Sequence, residues 1–223
     1  MKAMLLAAGR GERMRPLTLT TPKPLLKVNG LCLIEYHLHA LAQAGIRDVI
    51  INYSWLGEQI VDYLGDGRRY HLTITYSDEG ETPLETAGGI HHALPLIGDA
   101  PFLVINADIW TDYDLRRLPG SLDTLAYLVL VDNPPHHPEG DFALDSHILR
   151  NEGQRLTYSG MGIYHPDLFR ELGEGPRPLA PVLRAAIACG EVGGEHYRGH
   201  WWDIGTPQRL QQLDTYLRQT RGG

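Results

Sequence analysis

Apolar and polar positions alternate in blocks along this chain of 223 residues, so that short apolar runs are separated by segments with apolar residues at helical spacing. Runs rich in apolar and β-branched residues predict strands near 2–7, 47–52, 71–76, 101–105 and 124–131. Such continuous runs are typical of strands buried between two helical layers. The pattern therefore predicts the α/β class, with a Rossmann-like, mostly parallel central sheet flanked by helices.

Helices are predicted between and after these strands. A helix is predicted over residues 31–44 and ends at Gly45. Its apolar face consists of Ile34, Leu38, Leu41 and Ala42, which stand at helical spacing. A second helix, ahead of the turn at 65–67, has a buried face predicted to consist of Leu56, Ile60, Tyr63 and Leu64. A last helix is predicted from Arg209 to Leu217, after Pro207.

Composition narrows the class of protein. With 43% hydrophobic side chains, the chain can bury about 70% of its unfolded surface, which predicts one domain over 1–223. Cys32 and Cys189 form no CxxC pair, so a reducing compartment is expected, by default the cytoplasm. The apolar run Ala3–Ala8 is too short for a signal peptide or a membrane span. A net charge of -7 and a pI of about 5.8 argue against a nucleic-acid partner.

The first 28 residues join a buried strand to a glycine loop with cations and then to a proline-flanked lysine. Gly9 and Gly11 are expected to take positive φ and to let main-chain N–H groups converge on phosphate oxygens. Arg13 and Lys23 add full charges, and six of the chain's 20 Lys and Arg residues lie in the first 27 positions, beside the single acid Glu12. Cations are thus concentrated in the first 27 residues although the chain as a whole has a negative net charge. This concentration predicts a triphosphate-binding loop.

Two other phosphate-binding loops do not fit this context. A dinucleotide-binding loop needs a third glycine and a helix directly after it, but Met14 stands there and the next residues include Pro16, Pro22 and Pro24. A P-loop needs Gly-Lys-Ser/Thr before a helix, and the sequence has no such triplet. The remaining alternative is a glycine-rich turn with solvated arginines.

Two kinds of polar residue lie outside this loop. Asp108 follows the apolar run FLVIN, so it stands at the carboxyl end of a predicted strand, where open α/β sheets place their sites. Taken alone, such an aspartate is also typical of a turn or a helix cap. The histidine pairs at 91–92 and 136–137 lack the i, i+4 spacing of a zinc site, and we interpret them as surface or core residues.

The motif G-x-G-x-R-x-x-P-L-T at 9–18, followed by P-K-P-L at 22–25, resembles the signature of the nucleoside-triphosphate:sugar-1-phosphate nucleotidyltransferases. Further segments follow in the order of that family: LETAGGI at 84–90, FLVINADI at 102–109, YSGMGIY at 158–164 and WWDIGTP at 201–207. The resemblance implies an enzyme that joins a nucleoside triphosphate to a sugar 1-phosphate and releases pyrophosphate. Its implied cofactor is Mg²⁺, for which Mn²⁺ can substitute.

The resemblance also assigns residues to roles. It implies that Arg13 contacts the β and γ phosphates, that Lys23 contacts the α phosphate, and that Asp108 and Asp203 hold Mg²⁺. Glu79 is the candidate for base recognition, and a solvated acid in DEGE at 78–81 fits that position equally well. The other implied nucleotide contacts are Ala8, Gly9, Gly11, Glu12, Glu85, Thr86 and Gly88. Glu85 departs from the family, which more often has glycine there.

On the acceptor side, the resemblance favours transfer of UMP from UTP to N-acetylmuramic acid 1-phosphate, in peptidoglycan recycling. The proline-rich segment NPPHHPEG at 133–140 is predicted to open a small additional β substructure on the sugar side. The predicted acceptor contacts are Asn106, Gly140, Asp141, Asp145 and Gly162. The lactyl carboxylate of this sugar needs N–H donors or a cation, for which backbone amides near Gly140 or Gly162, or Arg150, are candidates.

Other activities remain open at this point. Mannose-1-phosphate guanylyltransferases share most of these motifs. A nucleotide-sugar-dependent glycosyltransferase would share the Rossmann-like half and an acidic metal site, but would not need the Arg13 and Lys23 loop. A paralogue that only binds nucleotides is a third possibility. A monomer or a small homo-oligomer is expected.

Overall fold

The computed structural model describes residues 1–220, so residues 221–223 of the predicted domain lie outside the described residues. The strands are β1 (Ala3–Leu6), β2 (Lys27–Val28), β3 (Leu31–Cys32), β4 (Asp48–Tyr53), β5 (Thr73–Asp78), β6 (Phe102–Asn106), β7 (Ile109–Thr111), β8 (Ala126–Val131), β9 (Phe142–Asp145), β10 (Ile148–Arg150), β11 (Arg155–Tyr164), β12 (Val192–Tyr197) and β13 (Trp201–Asp203). The helices are α1 (Leu33–Gln43), α2 (Gly57–Leu64), α3 (Glu85–Ile97), α4 (Asp167–Arg170), α5 (Leu179–Ala188) and α6 (Pro207–Thr220). Short 3-10 turns cover Glu12–Met14, Leu17–Leu19, Lys23–Leu25, Arg68–Tyr70 and Leu115–Arg117.

One sheet takes nine of these strands, in the order β5-β4-β1-β6-β11-β8-β12-β10-β9. The first four strands in this order pair parallel, as do β8 and β12. Strand β11 runs antiparallel to β6 and β8, and the pairings of β10 and β9 are antiparallel as well. The helix-flanked α/β sheet is confirmed, but the prediction of a mostly parallel sheet is wrong outside the β5-β4-β1-β6 half. A sequence pattern of apolar runs does not distinguish strand direction in a buried sheet.

Helices cover both faces of the sheet. Successive side chains of a strand point to opposite sides, so a strand with an unbroken apolar run presents apolar side chains on both faces. Ala3 and Leu5 of β1 belong to the same apolar cluster as α1 and α2, whereas Met4 belongs to the cluster that includes α3 and α5. A third cluster forms where Leu213 and Leu217 of α6 meet the glycine loop and the β2–β3 hairpin. The two-layer burial expected from the apolar runs is therefore confirmed.

The predicted elements are present with small shifts. The helix predicted over 31–44 begins at Leu33, because Leu31 and Cys32 pair with Lys27 and Val28 in a two-stranded hairpin. In α2, Ile60 and Leu64 are buried as predicted, but Tyr63 is 36% exposed and its ring lies beneath the guanidinium of Arg69. The last helix is longer than predicted and runs from Pro207 to Thr220.

The segment at 133–140 leads into the β9–β10 hairpin. We predicted an additional β substructure, but β10 pairs with β12 and β9 pairs with β11, so the hairpin extends the main sheet at its edge. A separate two-stranded ribbon joins β7 to β13. No described helix has the length and apolar character needed to cross a membrane.

The carboxyl ends of β1, β4 and β6 lie side by side and open onto the glycine loop. Leu6 pairs in register with Asn52 on one side and with Asn106 on the other. Parallel strands bring such ends to a single edge, where α/β sheets place their sites. Side chains from distant parts of the chain therefore meet at this edge.

Candidate active site

The glycine loop leaves β1 and turns back over the sheet through two 3-10 turns. Gly11 has φ of 61°, and a Cβ there would lie 2.9 Å from Thr18 Cγ2, so both the backbone angle and the space require glycine. Thr18 Oγ1 donates to the carbonyl of Gly11 at 2.8 Å and fixes the turn. Gly9, by contrast, does not take the positive φ that we expected, and a Cβ there would meet no atom within 4 Å. Glycine at position 9 therefore leaves open space where a side chain would otherwise lie.

A cavity of about 420 Å³ lies between this loop and the strand ends. It is lined by nine of the ten predicted nucleotide contacts: Ala8, Gly9, Gly11, Glu12, Arg13, Lys23, Glu79, Glu85 and Thr86. We call it the nucleotide cavity. Gly88 does not line it, since Gly88 packs against the 175–177 loop, where an added Cβ would lie 2.5 Å from the Gly175 carbonyl oxygen. Its N–H donates to the carbonyl of Arg177, so the role of Gly88 is helix packing.

Two cations of the loop face this cavity in different ways. Arg13 is exposed, and its guanidinium pairs with no described residue, which leaves its donors for a ligand. Lys23 is only 8% exposed, because Pro22 and Pro24 hold it in a 3-10 turn against the sheet. Its Nζ lies 2.6 Å from Asp108 Oδ2. One cation is thus free and the other is fixed beside an aspartate.

Asp108 and Asp203 are brought together by the β7–β13 ribbon. Asp203 pairs in register with Ile109, and the N–H of Ile204 donates to the carbonyl of Asp108 at 3.0 Å. Oδ2 of Asp108 accepts from Lys23, and Oδ2 of Asp203 accepts from Arg209 Nη1 at 2.6 Å. Oδ1 of each aspartate accepts no hydrogen bond from any described residue.

This donor set fits a magnesium ion and does not fit zinc. No group of three or more His, Cys, Asp or Glu residues among positions 1–220 is arranged to hold a metal. Mg²⁺ prefers one or two carboxylates together with phosphate oxygens and water, which two free carboxylate oxygens beside a triphosphate cavity would provide. Zinc would need three or four protein ligands.

Glu79 lies at the end of the nucleotide cavity nearest β4 and is 9% exposed. Its Oε1 accepts from Asn52 Nδ2 at 2.6 Å and its Oε2 accepts from the N–H of Leu84 at 2.8 Å. Burial raises the pKa of the Glu79 carboxyl, and these two hydrogen bonds oppose the rise. A Cβ on Gly89 would overlap Glu79 Oε1, so α3 needs glycine where it passes this carboxylate. The alternative of a solvated acid in DEGE is wrong for Glu79.

Glu85 and Thr86 begin α3 at the border of a second cavity. Glu85 has φ of 59°, in the left-handed region that disfavours side chains, which gives a physical reason for the glycine that the family more often has there. The second cavity measures about 460 Å³, and its lining includes Glu85, Thr86, Asn106, Asp141 and Tyr158. Because the first three of these residues also line the nucleotide cavity, the two spaces adjoin.

Two of the five predicted acceptor contacts line this second cavity. Asn106 stands at the end of β6 on the border, and Gly160, with φ of 84°, approaches it so closely that a Cβ would lie 2.7 Å from Asn106 Nδ2. Asp141 lies in the wall, where Oδ2 accepts from the N–H of Tyr158 and Oδ1 lies 3.2 Å from His137 Nε2. These contacts hold the end of the 133–140 segment against β11.

The other three predicted acceptor contacts do not line this second cavity. Gly162 is buried in the middle of β11, paired with Val104 and Leu128, so its amide is enclosed in the sheet. Gly140 donates its N–H to His137 and packs against Asn133. Asp145 and Arg150 are exposed on the β9–β10 hairpin and pair with each other at 3.5 Å. Residues from the same segments, Asp141 and Tyr158, do line the second cavity. The register of the strands decides which side chains of a segment face it.

A protein-family model described as nucleotidyl transferase matches residues 2–144 of the chain. The chain belongs to the nucleotidyl transferase family. It is 52% identical over 222 residues to N-acetylmuramate alpha-1-phosphate uridylyltransferase of Neisseria meningitidis serogroup B, over 95% of this chain and 96% of that relative. The enzyme of the same name from Caulobacter vibrioides is 33% identical, over 97% of each chain. These matches confirm the family that the loop motifs indicated.

More distant matches agree with this nucleotidyl transferase assignment. The mannose-1-phosphate guanyltransferase of Hypocrea jecorina is 30% identical over 93% of this chain, which spans 62% of that relative. Among solved structures, a candidate glucose-1-phosphate thymidylyltransferase from Bacillus anthracis, solved with sucrose, superposes with a TM-score of 0.85 at 22% identity. That superposition covers 98% of this chain and 95% of that one, and it confirms the fold.

Sequence reasoning missed several residues of this nucleotidyl transferase site. Asn52 joins the amide of Ala7 to Glu79, and its position at the end of a predicted strand was a usable signal, the same one that indicated Asp108. His136 and His137 were interpreted as surface or core residues, yet their Nε2 atoms lie 3.1 Å from Asp203 and 3.2 Å from Asp141. Arg209 gave no local signal beyond its place after WWDIGTP.

Proposed function

We propose that this enzyme transfers UMP from UTP to N-acetylmuramic acid 1-phosphate and releases pyrophosphate. The observation that carries the proposal is the adjacency of two cavities that share Glu85, Thr86 and Asn106. One has the cations for a triphosphate, and the other has room for a sugar. The names of the relatives at 52% and 33% identity support the choice of donor and acceptor.

The proposed reaction is a direct displacement at the α-phosphorus of UTP. A phosphate oxygen of the sugar 1-phosphate forms the new P–O bond, and the bond between the α-phosphorus and the bridging oxygen breaks, so the electron pair leaves with pyrophosphate. The attacking phosphate is already ionised at neutral pH, so no side chain has to remove a proton from it. Catalysis therefore rests on positioning and on charge stabilisation.

Each cation has a proposed part in this displacement. Lys23, fixed in its proline-flanked turn, would meet the α-phosphate as a compact charge, and Arg13 would meet the departing pyrophosphate with a planar fork of donors. Asp108 and Asp203 would hold Mg²⁺, which when bound would neutralise charge between the two substrates. Glu79 would accept a hydrogen bond from the base, held in place by Asn52 and Leu84.

Acceptor choice rests on the relatives more than on the cavity. Asp141 and Glu85 give the second cavity two carboxylates, and the donors expected for the lactyl group at Gly140, Gly162 and Arg150 do not line it. The free thiols of Cys32 and Cys189 fit a cytoplasmic enzyme.

A matrix of nucleoside triphosphates and sugar 1-phosphates, scored by pyrophosphate release, tests the proposal. We expect the highest kcat/KM for UTP with N-acetylmuramic acid 1-phosphate. A preference for N-acetylglucosamine 1-phosphate, or for GTP with mannose 1-phosphate, would overturn the substrate assignment and keep the reaction type. Release of UDP from a UDP-sugar in place of pyrophosphate would indicate a glycosyltransferase, and binding without turnover would indicate a silent paralogue.

A further inference from the structure

Each candidate metal aspartate gives one carboxylate oxygen to a cation and leaves the other free. Lys23 Nζ lies 2.6 Å from Asp108 Oδ2, and Arg209 Nη1 lies 2.6 Å from Asp203 Oδ2. In both cases Oδ1 accepts no hydrogen bond from a described residue. The two pairings have the same arrangement, although Lys23 precedes the ribbon in sequence and Arg209 follows it.

Arg209 is well placed to hold Asp203 and poorly placed for other purposes. It lies in the first turn of α6, where a cation opposes the helix dipole, so helix stability does not account for it. Its side chain is 17% exposed and that of Asp203 is 24% exposed, so the pair is largely shielded from solvent. A Cβ on Gly205 would lie 2.5 Å from Arg209 Nη2, so a glycine lets the guanidinium reach the aspartate.

The nearby histidine leaves Arg209 as the donor to Asp203. His136 Nε2 lies 2.7 Å from Arg209 Nη1 and 3.1 Å from Asp203 Oδ2. A guanidinium only donates, so Nε2 accepts from Arg209, and a ring nitrogen that accepts cannot donate to Asp203. The hydrogen bond to Asp203 Oδ2 therefore comes from Arg209.

We infer that Arg209 is a positioning residue for the metal site: it fixes the Asp203 carboxylate so that Oδ1 faces the cation. This inference rests on the proposed function, in which Asp203 is a metal ligand. Hydrogen bonds to ligating carboxylates orient them, and loss of such a partner typically weakens metal binding. Arg209 contacts neither UTP nor the sugar phosphate in this role.

Mn²⁺ binding to the substrate-free protein tests the inference without turnover. Free Mn²⁺ is followed by its electron paramagnetic resonance signal in titrations of wild type, Arg209→Met, Arg209→Lys and Asp203→Asn. We expect Arg209→Met to weaken Mn²⁺ binding by about 10- to 100-fold, and Arg209→Lys to recover part of the loss, because an ammonium keeps the charge and one donor. In turnover, Arg209→Met should need more Mg²⁺ for half-maximal rate while kcat at saturating Mg²⁺ stays close to wild type.

A matched control and a second perturbation separate positioning from folding. Arg218→Met removes another Arg–Asp pair of α6, the 2.6 Å contact with Asp214, and should leave Mn²⁺ affinity as in wild type. Arg209→Gln removes the charge and the contact of the guanidinium with Asp203, should weaken Mn²⁺ binding as Arg209→Met does, and carries the test if Arg209→Met does not fold. Thermal melting monitors the fold of every variant.

The outcomes distinguish this inference from the proposed function. If Asp203→Asn weakens Mn²⁺ binding but Arg209→Met leaves it unchanged or tighter, the positioning role is wrong and the metal site stands. If Asp203→Asn also leaves Mn²⁺ binding unchanged, the proposed metal site fails, and the role of Arg209 fails with it.

Discussion

At the scale of single residues, the cations of the glycine loop are distinguished by what they touch. Arg13 has no partner among the described residues, whereas Arg10, in the same loop, donates to the carbonyl of Glu81. Lys23 is held by Asp108. Arg13 is the cation that the motif assigns to the β and γ phosphates. Negative charge develops on these phosphates as pyrophosphate leaves.

Arg13→Ala should therefore lower kcat by about 100-fold and raise the KM for UTP much less, because the lost contact strengthens in the transition state. Steady-state kinetics at saturating acceptor measures both constants. Arg10→Ala is the matched control, since it removes a neighbouring charge that already has a backbone partner, and it should change kcat little. A rise in KM alone would show that Arg13 binds the ground state of the nucleotide.

The buried His37 links protein stability to pH. It is buried on α1, and its Nε2 lies 2.9 Å from the carbonyl of Ile109, so the nitrogen donates to the start of β7. Burial lowers the pKa of His37 from 6.5 to about 4. The unfolded chain takes up the proton near pH 6.5 and the folded protein resists it, so stability present above pH 6.5 is lost as the pH falls towards 4.

His37→Gln removes this titration. The unfolding free energy of wild type should fall between pH 6.5 and 4 more steeply than that of the variant, by at most about 1.4 kcal/mol per pH unit. Urea unfolding at a series of pH values measures the difference. The exposed His39→Gln on the same helix should keep the wild-type pH dependence, and equal slopes for His37→Gln and wild type would contradict the prediction.

At the scale of elements, α3 uses two adjacent glycines for different purposes. Gly88 faces the backbone of the 175–177 loop, and Gly89 faces the Glu79 carboxylate. Alanine at an unobstructed helical glycine would stabilise the helix by about 1 kcal/mol. At both positions a collision opposes that gain, but the colliding partner differs.

Gly88→Ala should lower the unfolding free energy by about 1–3 kcal/mol, because its Cβ meets a backbone carbonyl that cannot move alone. Gly89→Ala should destabilise less and should raise the KM for UTP, since its Cβ displaces Glu79 from Asn52. Denaturant unfolding and UTP kinetics on both variants measure the contrast. A KM for UTP that is unchanged in a folded Gly89→Ala would remove Glu79 from base recognition.

The ribbon of β7 and β13 is the element that brings the two proposed metal ligands, Asp108 and Asp203, together. Neither strand was predicted, because each is three residues long and the pairing joins segments far apart in the sequence. Asp108 was predicted from a local rule, its place after an apolar run. Asp203 was assigned by motif alone, and only the ribbon explains why it stands beside Asp108.

At the level of the whole molecule, this acidic protein concentrates cations in one segment, its first 27 residues. The net charge is -7, yet six of the 20 Lys and Arg residues lie in the first 27 positions, and two of these, Arg13 and Lys23, line the nucleotide cavity. Cations at a binding site attract an anionic substrate and raise its rate of capture, and salt screens this attraction. The screening length falls from about 10 Å at 0.1 M to about 3 Å at 1 M ionic strength.

Raising KCl at constant free Mg²⁺ should therefore lower kcat/KM for UTP more than it lowers kcat. The measurement is a series of steady-state assays at increasing KCl. Arg13→Ala should show a shallower dependence of kcat/KM on salt, because one of the attracting charges is gone. A salt dependence confined to kcat would contradict the electrostatic account of substrate capture.

Local sequence signals were sufficient to indicate the family, the order of the main strands and helices, and the chemistry of the glycine loop. These signals are local: glycine and proline restrict φ over a few residues, and apolar periodicity reports the burial of one segment at a time. They were enough to indicate Arg13, Lys23, Asp108 and the end of β6. They could not show that β11 runs antiparallel and encloses Gly162.

Contacts between distant side chains became visible only in the folded protein. The pairing of β7 with β13, the hydrogen bond from Asn52 to Glu79, and the contact of Arg209 with Asp203 each join segments separated by long stretches of chain. Such contacts depend on strand register and on packing summed over the whole core, and a shift of one residue turns a side chain to the other face of the sheet. No local pattern encodes that sum.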